Sequence, residues 1–223
     1  MRLFHRILVA AAFLSASFAV SAAAEAADAP SPKRNIRLFA YERDNRLYYA
    51  WNADGLEWHA IDRGWVSSDY GSWFAEKKMH DPYLFHDKAN GMWRCIFTPN
   101  PDDPVFALVS SPDLVHWHVQ NYYPMEKAPR GFAPFIYYDS GEYYIEWSKK
   151  NEKMVENVYS TRDFKHFSLA ESPRRYVKGG SIVKLGDREW SGNIVYITKA
   201  ELDSILAYKR EIDRRNALHG EVS

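Results

Sequence analysis

Three carboxylic acids occupy positions from which a strand-rich chain can bring acid–base chemistry to one place. Asp81 opens an apolar run directly before Pro82, which fixes the backbone that follows. Glu146 interrupts the aromatic stretch Tyr143-Tyr-Ile-Glu-Trp147, and Glu42 ends the run Ile36-Arg-Leu-Phe-Ala-Tyr-Glu42. Two carboxyl groups on either side of a scissile bond can work as a pair. One protonates the leaving group, and the other activates water or attacks directly. Each acid also has an ordinary structural role open to it: a hydrogen-bonded turn for Asp81, a solvent-facing strand position for Glu146 and Glu42.

The aromatic residues make up 16% of the chain, with eight Trp and fifteen Tyr. Flat rings pack a core, and they also stack on the apolar faces of sugars. Trp51, Trp73, Trp93 and Trp147 form the pool for such contacts, with core packing the ordinary role of all but Trp73. Trp73 follows Tyr70-Gly71-Ser72 in a loop shortly before Asp81, and Arg130 stands just before Gly131. The histidines His80, His86, His116 and His118 are not spaced as a joint metal site, so no metal or cofactor is expected. Lys and Arg total 29 against 29 Asp and Glu, so there is no basic footprint for nucleic acid. The single cysteine, Cys95, excludes an internal disulfide.

The elements that must position these groups announce themselves through a recurring phrase. It reads Asn52-Ala-Asp54-Gly-Leu56-Glu-Trp58, then Ser111-Pro-Asp113-Leu114-Val-His-Trp117, then Ser160-Thr-Arg-Asp163-Phe164-Lys-His-Phe167. A small polar residue leads to Asp, then to an apolar residue, then to an aromatic, and each copy follows a strand-like run. The Asp carboxylates suit a turn in which they accept backbone N–H bonds, with Trp58, Trp117 and Phe167 packing between units. A period of roughly 50 to 60 residues marks stacked repeat units, which for antiparallel strands means a β-propeller. Unit one opens at Ile36, unit two at Asp81 and unit three at Phe132. A fourth, incomplete unit runs from Gly180 to Ile197.

After Ile197 the pattern changes to a helix over 198–218. Thr198 and Glu201 form a capping box, and the helix is expected to cover the last sheet edge. At the other end, Arg2 and Arg6 flank the apolar run Ile7 to Val20, followed by Ala22-Ala23-Ala24. This pattern predicts a signal peptide over 1–24, a disordered leader over 25–34 and export to the periplasm or beyond, with no membrane anchor after cleavage.

The phrases "MHDPYLF…SSPDLVHW" and "FAPFIYYDSGEYYIEWS" resemble the five-bladed propellers of glycoside hydrolase family 43, the arabinosidase and xylosidase type. In that family one blade opens with Arg-Asp-Pro, the next with Trp-Ala-Pro-Glu, and a later one with Asp-Ala-Thr. Here Asp81 matches the first acid, while His80 stands for its Arg. Phe132 and Phe135 stand for Trp and Glu, and Gly179 falls at the later Asp. The resemblance implies an all-β partial propeller over 35–197 that is truncated relative to five blades. It implies glycosidase-like chemistry with Asp81, Glu146 and Glu42 as candidate acids, and sugar contacts from His80, Trp51, Trp73, Trp147 and Arg130. The partner implied is an oligosaccharide or polysaccharide. A non-catalytic glycan-binding module remains the alternative, as does a scaffold pairing with a second copy through an open sheet edge.

Overall fold

The computed structural model describes residues 33–65, 78–99, 105–118, 121–124, 133–147, 158–171 and 180–220. Trp73, Arg130, the signal-peptide segment and nearly all of the expected leader lie outside them. Antiparallel strands dominate the described chain, which ends in one helix. The strands are β1 (Ile36–Arg43), β2 (Arg46–Asn52), β3 (His59–Trp65), β4 (His80–Asp87), β5 (Met92–Thr98), β6 (Val105–Ser111), β7 (Asn121–Pro124), β8 (Pro134–Asp139), β9 (Glu142–Trp147), β10 (Val158–Thr161), β11 (Ser168–Ala170), β12 (Ser181–Leu185) and β13 (Arg188–Ile197), and the helix is α1 (Lys199–Gly220). Short hairpin turns join many of them. Asp44 and Asn45 both take positive φ between β1 and β2, and Ser140 and Gly141 do so between β8 and β9. Such turns match the right-handed twist of the flanking strands.

The strands form three sheets, ordered β12-β13-β1-β2-β3, β4-β5-β6-β7 and β8-β9-β10-β11. In each, the repeated phrase lies between the last two strands, linking β2 to β3, β6 to β7 and β10 to β11. That alignment equates β1 with β5 and β9, the second strands of the four-stranded sheets, and leaves β12 as an additional edge strand. The strand equivalent to β4 and β8 is β13, from the far end of the chain, paired from Ile36↔Ile197 to Tyr41↔Gly192. The sequence pattern predicts a separate fourth unit over Gly180–Ile197; the structure instead adds this hairpin to the first sheet. Its strand and turn chemistry is local, whereas its choice of partner is set by the free edge of β1. No closed ring of sheets is seen among the described residues.

Each turn of the phrase folds as its composition demands. The N–H groups of Leu56, Val115 and Lys165 donate to the carboxylates of Asp54, Asp113 and Asp163 at 2.8, 2.9 and 2.8 Å. Asn52, Ser111 and Thr161 accept from the backbone at the turn's entry. The residue after each Asp takes a left-handed conformation: Gly55 at φ 87°, Leu114 at 67° and Phe164 at 57°. Leu114 and Phe164 then plunge into the core, whereas Leu56 in the first copy is 88% exposed.

Two cores lie between the sheets. Leu38, Leu47, Tyr49, Ile61 and Trp65 of the first sheet meet Leu84, Trp93, Cys95, Phe97 and Leu114 of the second, joined by Leu202 and Ile205 of α1. The other face of the second sheet, with Ile96, Phe106 and Leu108, meets Ile136, Tyr143, Ile145 and Phe164 of the third. A polar cluster on the second sheet is tied across this junction by Tyr143 of the third. Asp87 accepts from Arg94 Nε at 2.8 Å, Asn90 Nδ2 at 2.8 Å and the Tyr143 hydroxyl at 2.6 Å. Burial alone would raise the Asp87 carboxyl, but these three donors carry it below the usual carboxylate range.

At the start of α1 the Thr198 N–H donates to Glu201 Oε2 at 2.7 Å, and the Glu201 N–H returns a bond to Thr198 Oγ1 at 3.1 Å. Glu201 also accepts from Trp93 Nε1 at 2.8 Å and from Arg34 at 2.8 and 2.9 Å. The capping residue thereby ties the helix to the second sheet and to the chain just ahead of β1. The helix packs by Leu202 and Ile205 within the core, with Tyr208 against Trp65.

Candidate functional site

The opening of β4 carries an unusual backbone conformation. Pairing with β5 shifts register between His80 and Tyr83, so Asp81 sits on a bulge. Its φ is 48°, although a residue before proline prefers an extended conformation. A non-glycine residue held in this region costs about 1–3 kcal/mol and persists only where its surroundings impose it. The restraint comes from the first sheet. The Asp81 N–H donates to Glu42 Oε2 at 2.9 Å, while Glu42 Oε1 lies 3.4 Å from His80 Nδ1. One residue earlier, the Met79 N–H donates to the Asn45 carbonyl at 3.0 Å.

Further along β4 the support is equally specific. Asn193 of β13 accepts from the Leu84 N–H at 2.9 Å and donates to the Leu84 carbonyl at 2.7 Å. A side-chain amide thus replaces a neighbouring strand at the inner edge of the second sheet. The structure therefore brings Glu42, His80 and Asp81 together, with Asp81 exposed to solvent.

Glu146 lies in the third sheet and is fully buried. Its partner across the strands is Phe135, the position where the family pattern has its Glu. The Tyr137 hydroxyl donates to Glu146 Oε1 at 2.7 Å, and the Tyr137 ring stacks on Tyr144 at 5.4 Å. Phe135 in turn meets Tyr83, two residues after Asp81, at a ring distance of 6.2 Å. Asp81 and Glu146 thus differ in setting, one exposed to water and the other sealed in the third sheet.

Trp51 packs at the margin of the first core with its ring 4.4 Å from that of His59. Trp147 closes β9 opposite Pro134. Among the described residues no group of three or more His, Cys, Asp or Glu is placed to hold a metal ion.

No family model matches this chain, and no curated protein matches it. Among solved structures it is similar to a novel alpha-L-arabinofuranosidase (CtGH43) from Clostridium thermocellum ATCC 27405. The two are 16% identical over 77% of this chain and 60% of that one, with a TM-score of 0.49. The chain therefore spans about three fifths of that protein's length.

Two residues beside the acids carry no motif of their own in the sequence. Tyr137 and Tyr83 become visible only once register is known, since each acts across a strand or a sheet. Strand alternation offers a partial signal for Tyr137. It shares a face with Phe135 two residues away, and Phe135 is the cross-strand neighbour of Glu146. Chemically, the site presents one accessible carboxylate with a fixed backbone, an imidazole beside it, and a second carboxylate withdrawn behind aromatic rings.

Proposed function

We propose that this protein is a glycosidase-like, carbohydrate-active protein built as a partial propeller, whose three sheets are blades. An oligosaccharide or polysaccharide is bound where β4 opens. The observation that carries this is the exposed Asp81 carboxylate on a left-handed bulge, anchored from a neighbouring sheet by Glu42. An acceptor fixed in this way suits sugar hydroxyls, which reward a preorganised hydrogen-bond partner. The family phrases around Asp81 and Phe135 support the same ligand class, and the export pattern of the N-terminus supports an encounter with it outside the cytoplasm.

Binding is the activity this arrangement favours. Hydrolysis needs two carboxyl groups facing one glycosidic oxygen, roughly 5–10 Å apart. Glu146 is fully buried with Tyr137 donating to it, so its carboxyl does not face a ligand bound at Asp81. A second reading, hydrolysis, draws on the place of Glu146 directly opposite Phe135. There an acid relocated by one strand can substitute for the lost Glu once the rings part.

The experiment is a screen of the purified protein against aryl-arabinosides, aryl-xylosides and pectic oligosaccharides, beside Asp81→Asn. Oligosaccharides that raise the melting temperature without turnover, with the shift lost in Asp81→Asn, are the expected result. Turnover abolished by Asp81→Asn and by Glu146→Gln would establish the hydrolytic reading instead. Absence of both turnover and melting shift would remove carbohydrate as the ligand.

A further inference from the structure

We propose that Glu42 is a positioning residue: its carboxylate holds the backbone of Asp81 in the left-handed kink and so aims the Asp81 carboxylate at the ligand. This role rests on Asp81 being the sugar-contacting group. Six non-glycine residues with positive φ occur among the described residues. Asp44, Asn45 and Ser140 lie in hairpin turns, and Leu114 and Phe164 lie in the repeated Asp turn, where local hydrogen bonds account for them. Asp81 has no such turn around it. Its N–H is taken by a side chain 39 residues away in sequence, from the end of β1 in another sheet.

The geometry separates this role from that of a proton donor. Glu42 Oε2 is engaged by the Asp81 N–H at 2.9 Å, and Oε1 faces the His80 imidazole at 3.4 Å. A carboxylate that accepts from the backbone is committed as an acceptor, and both oxygens are turned toward the protein rather than toward a leaving group. His80 completes the bracket. Its Nδ1 approaches the second oxygen. Without the bracket, Asp81 relaxes toward the extended conformation that a residue before proline prefers, and its carboxylate swings away from where it now stands.

Four variants test this: Glu42→Gln, Glu42→Ala, Asp81→Gly, and Glu42→Ala combined with Asp81→Gly. The amide resonance of Asp81, the melting temperature, and the affinity for arabino- and xylo-oligosaccharides are measured for each that retains the group in question. In Glu42→Ala the Asp81 amide proton should shift upfield as its charged acceptor disappears. Oligosaccharide affinity should fall about tenfold, the worth of one charge-assisted hydrogen bond. Glu42→Gln keeps an acceptor oxygen and should recover most of both. Asp81 recovers its backbone strain when it relaxes and glycine has none to recover, so Glu42→Ala should lower the melting temperature more in the Asp81→Gly background than in the wild type.

An unmoved Asp81 amide, or equal effects of Glu42→Ala in the two backgrounds, would overturn the role. Glu42→Gln as damaging to binding as Glu42→Ala would overturn it too, because the charge rather than the acceptor would then matter. If the wild-type protein ignores both sugars, the carbohydrate reading alone fails. The amide shift and the melting cycle still decide whether Glu42 holds residue 81.

Discussion

At the scale of single residues, Leu114 sets two requirements against each other. Its φ of 67° asks for glycine, while its fully buried side chain in the first core asks for bulk. Truncating a buried Leu to Ala costs about 2–5 kcal/mol, and the strained backbone remains. Truncation to Gly removes one carbon more but releases the strain, worth about 1 kcal/mol. Leu114→Gly should therefore unfold at a urea concentration equal to or above that of Leu114→Ala, reversing the usual order of the two substitutions. The phrase around Leu114 was readable in sequence because Asp113 acts on its immediate neighbours, Val115 and His116. The contact of Glu42 with Asp81 was not, since it joins residues whose proximity exists only after two sheets have stacked.

At the scale of elements, β13 carries the junction between the first and second sheets, and two adjacent residues test it. Asn193 is buried, and its amide satisfies both backbone groups of Leu84. Asn193→Ala leaves a buried N–H and a buried carbonyl without that partner, at about 1–3 kcal/mol each. The urea midpoint should fall accordingly. Gly192 has no room for a side chain: a Cβ there would stand 2.1 Å from the Ala40 carbonyl oxygen and 2.8 Å from the Phe39 ring. Gly192→Ala must push β13 off β1, and the variant should fail to give a cooperative unfolding transition. Strands, hairpin turns and the Thr198–Glu201 cap were all legible from period and composition. The home of β13 was not, because nothing local in Gly192-Asn-Ile-Val-Tyr-Ile197 says which of several open edges it joins.

At the scale of the whole molecule, His86 couples stability to pH. Burial, and next the Arg34 charge, hold its imidazole below the usual histidine range, against the opposing pull of Glu201 and Asp87 and alongside Lys88. Its Nε2 lies 3.1 Å from Arg34 Nη2, which suits a neutral ring accepting from the guanidinium. With a folded value below the unfolded one, the unfolded chain takes up the proton first. The contribution is complete above about pH 6.5 and is lost as pH falls toward the folded value. Melting temperature should therefore decline on acidification from pH 7.5 to 5, and His86→Gln should flatten that slope. A second decline should follow below about pH 4, as Asp87, Asp113 and Glu201, each lowered in the fold against the cost of its own burial, begin to protonate.

The pairing of Ile36 with Ile197 also sets a timetable. A ribosome releases the first described strand long before the strand that must lie beside it. Until residue 197 is made, β1 offers an unpaired edge, and the backbone of Leu84 lacks Asn193. Pairings across such sequence distances form slowly. A nascent or prematurely stopped chain is therefore an open, adhesive object rather than a smaller version of the finished one. Completion of the first sheet works as a checkpoint: only a chain that has been made through β13 can complete the fold around the residues that hold Asp81.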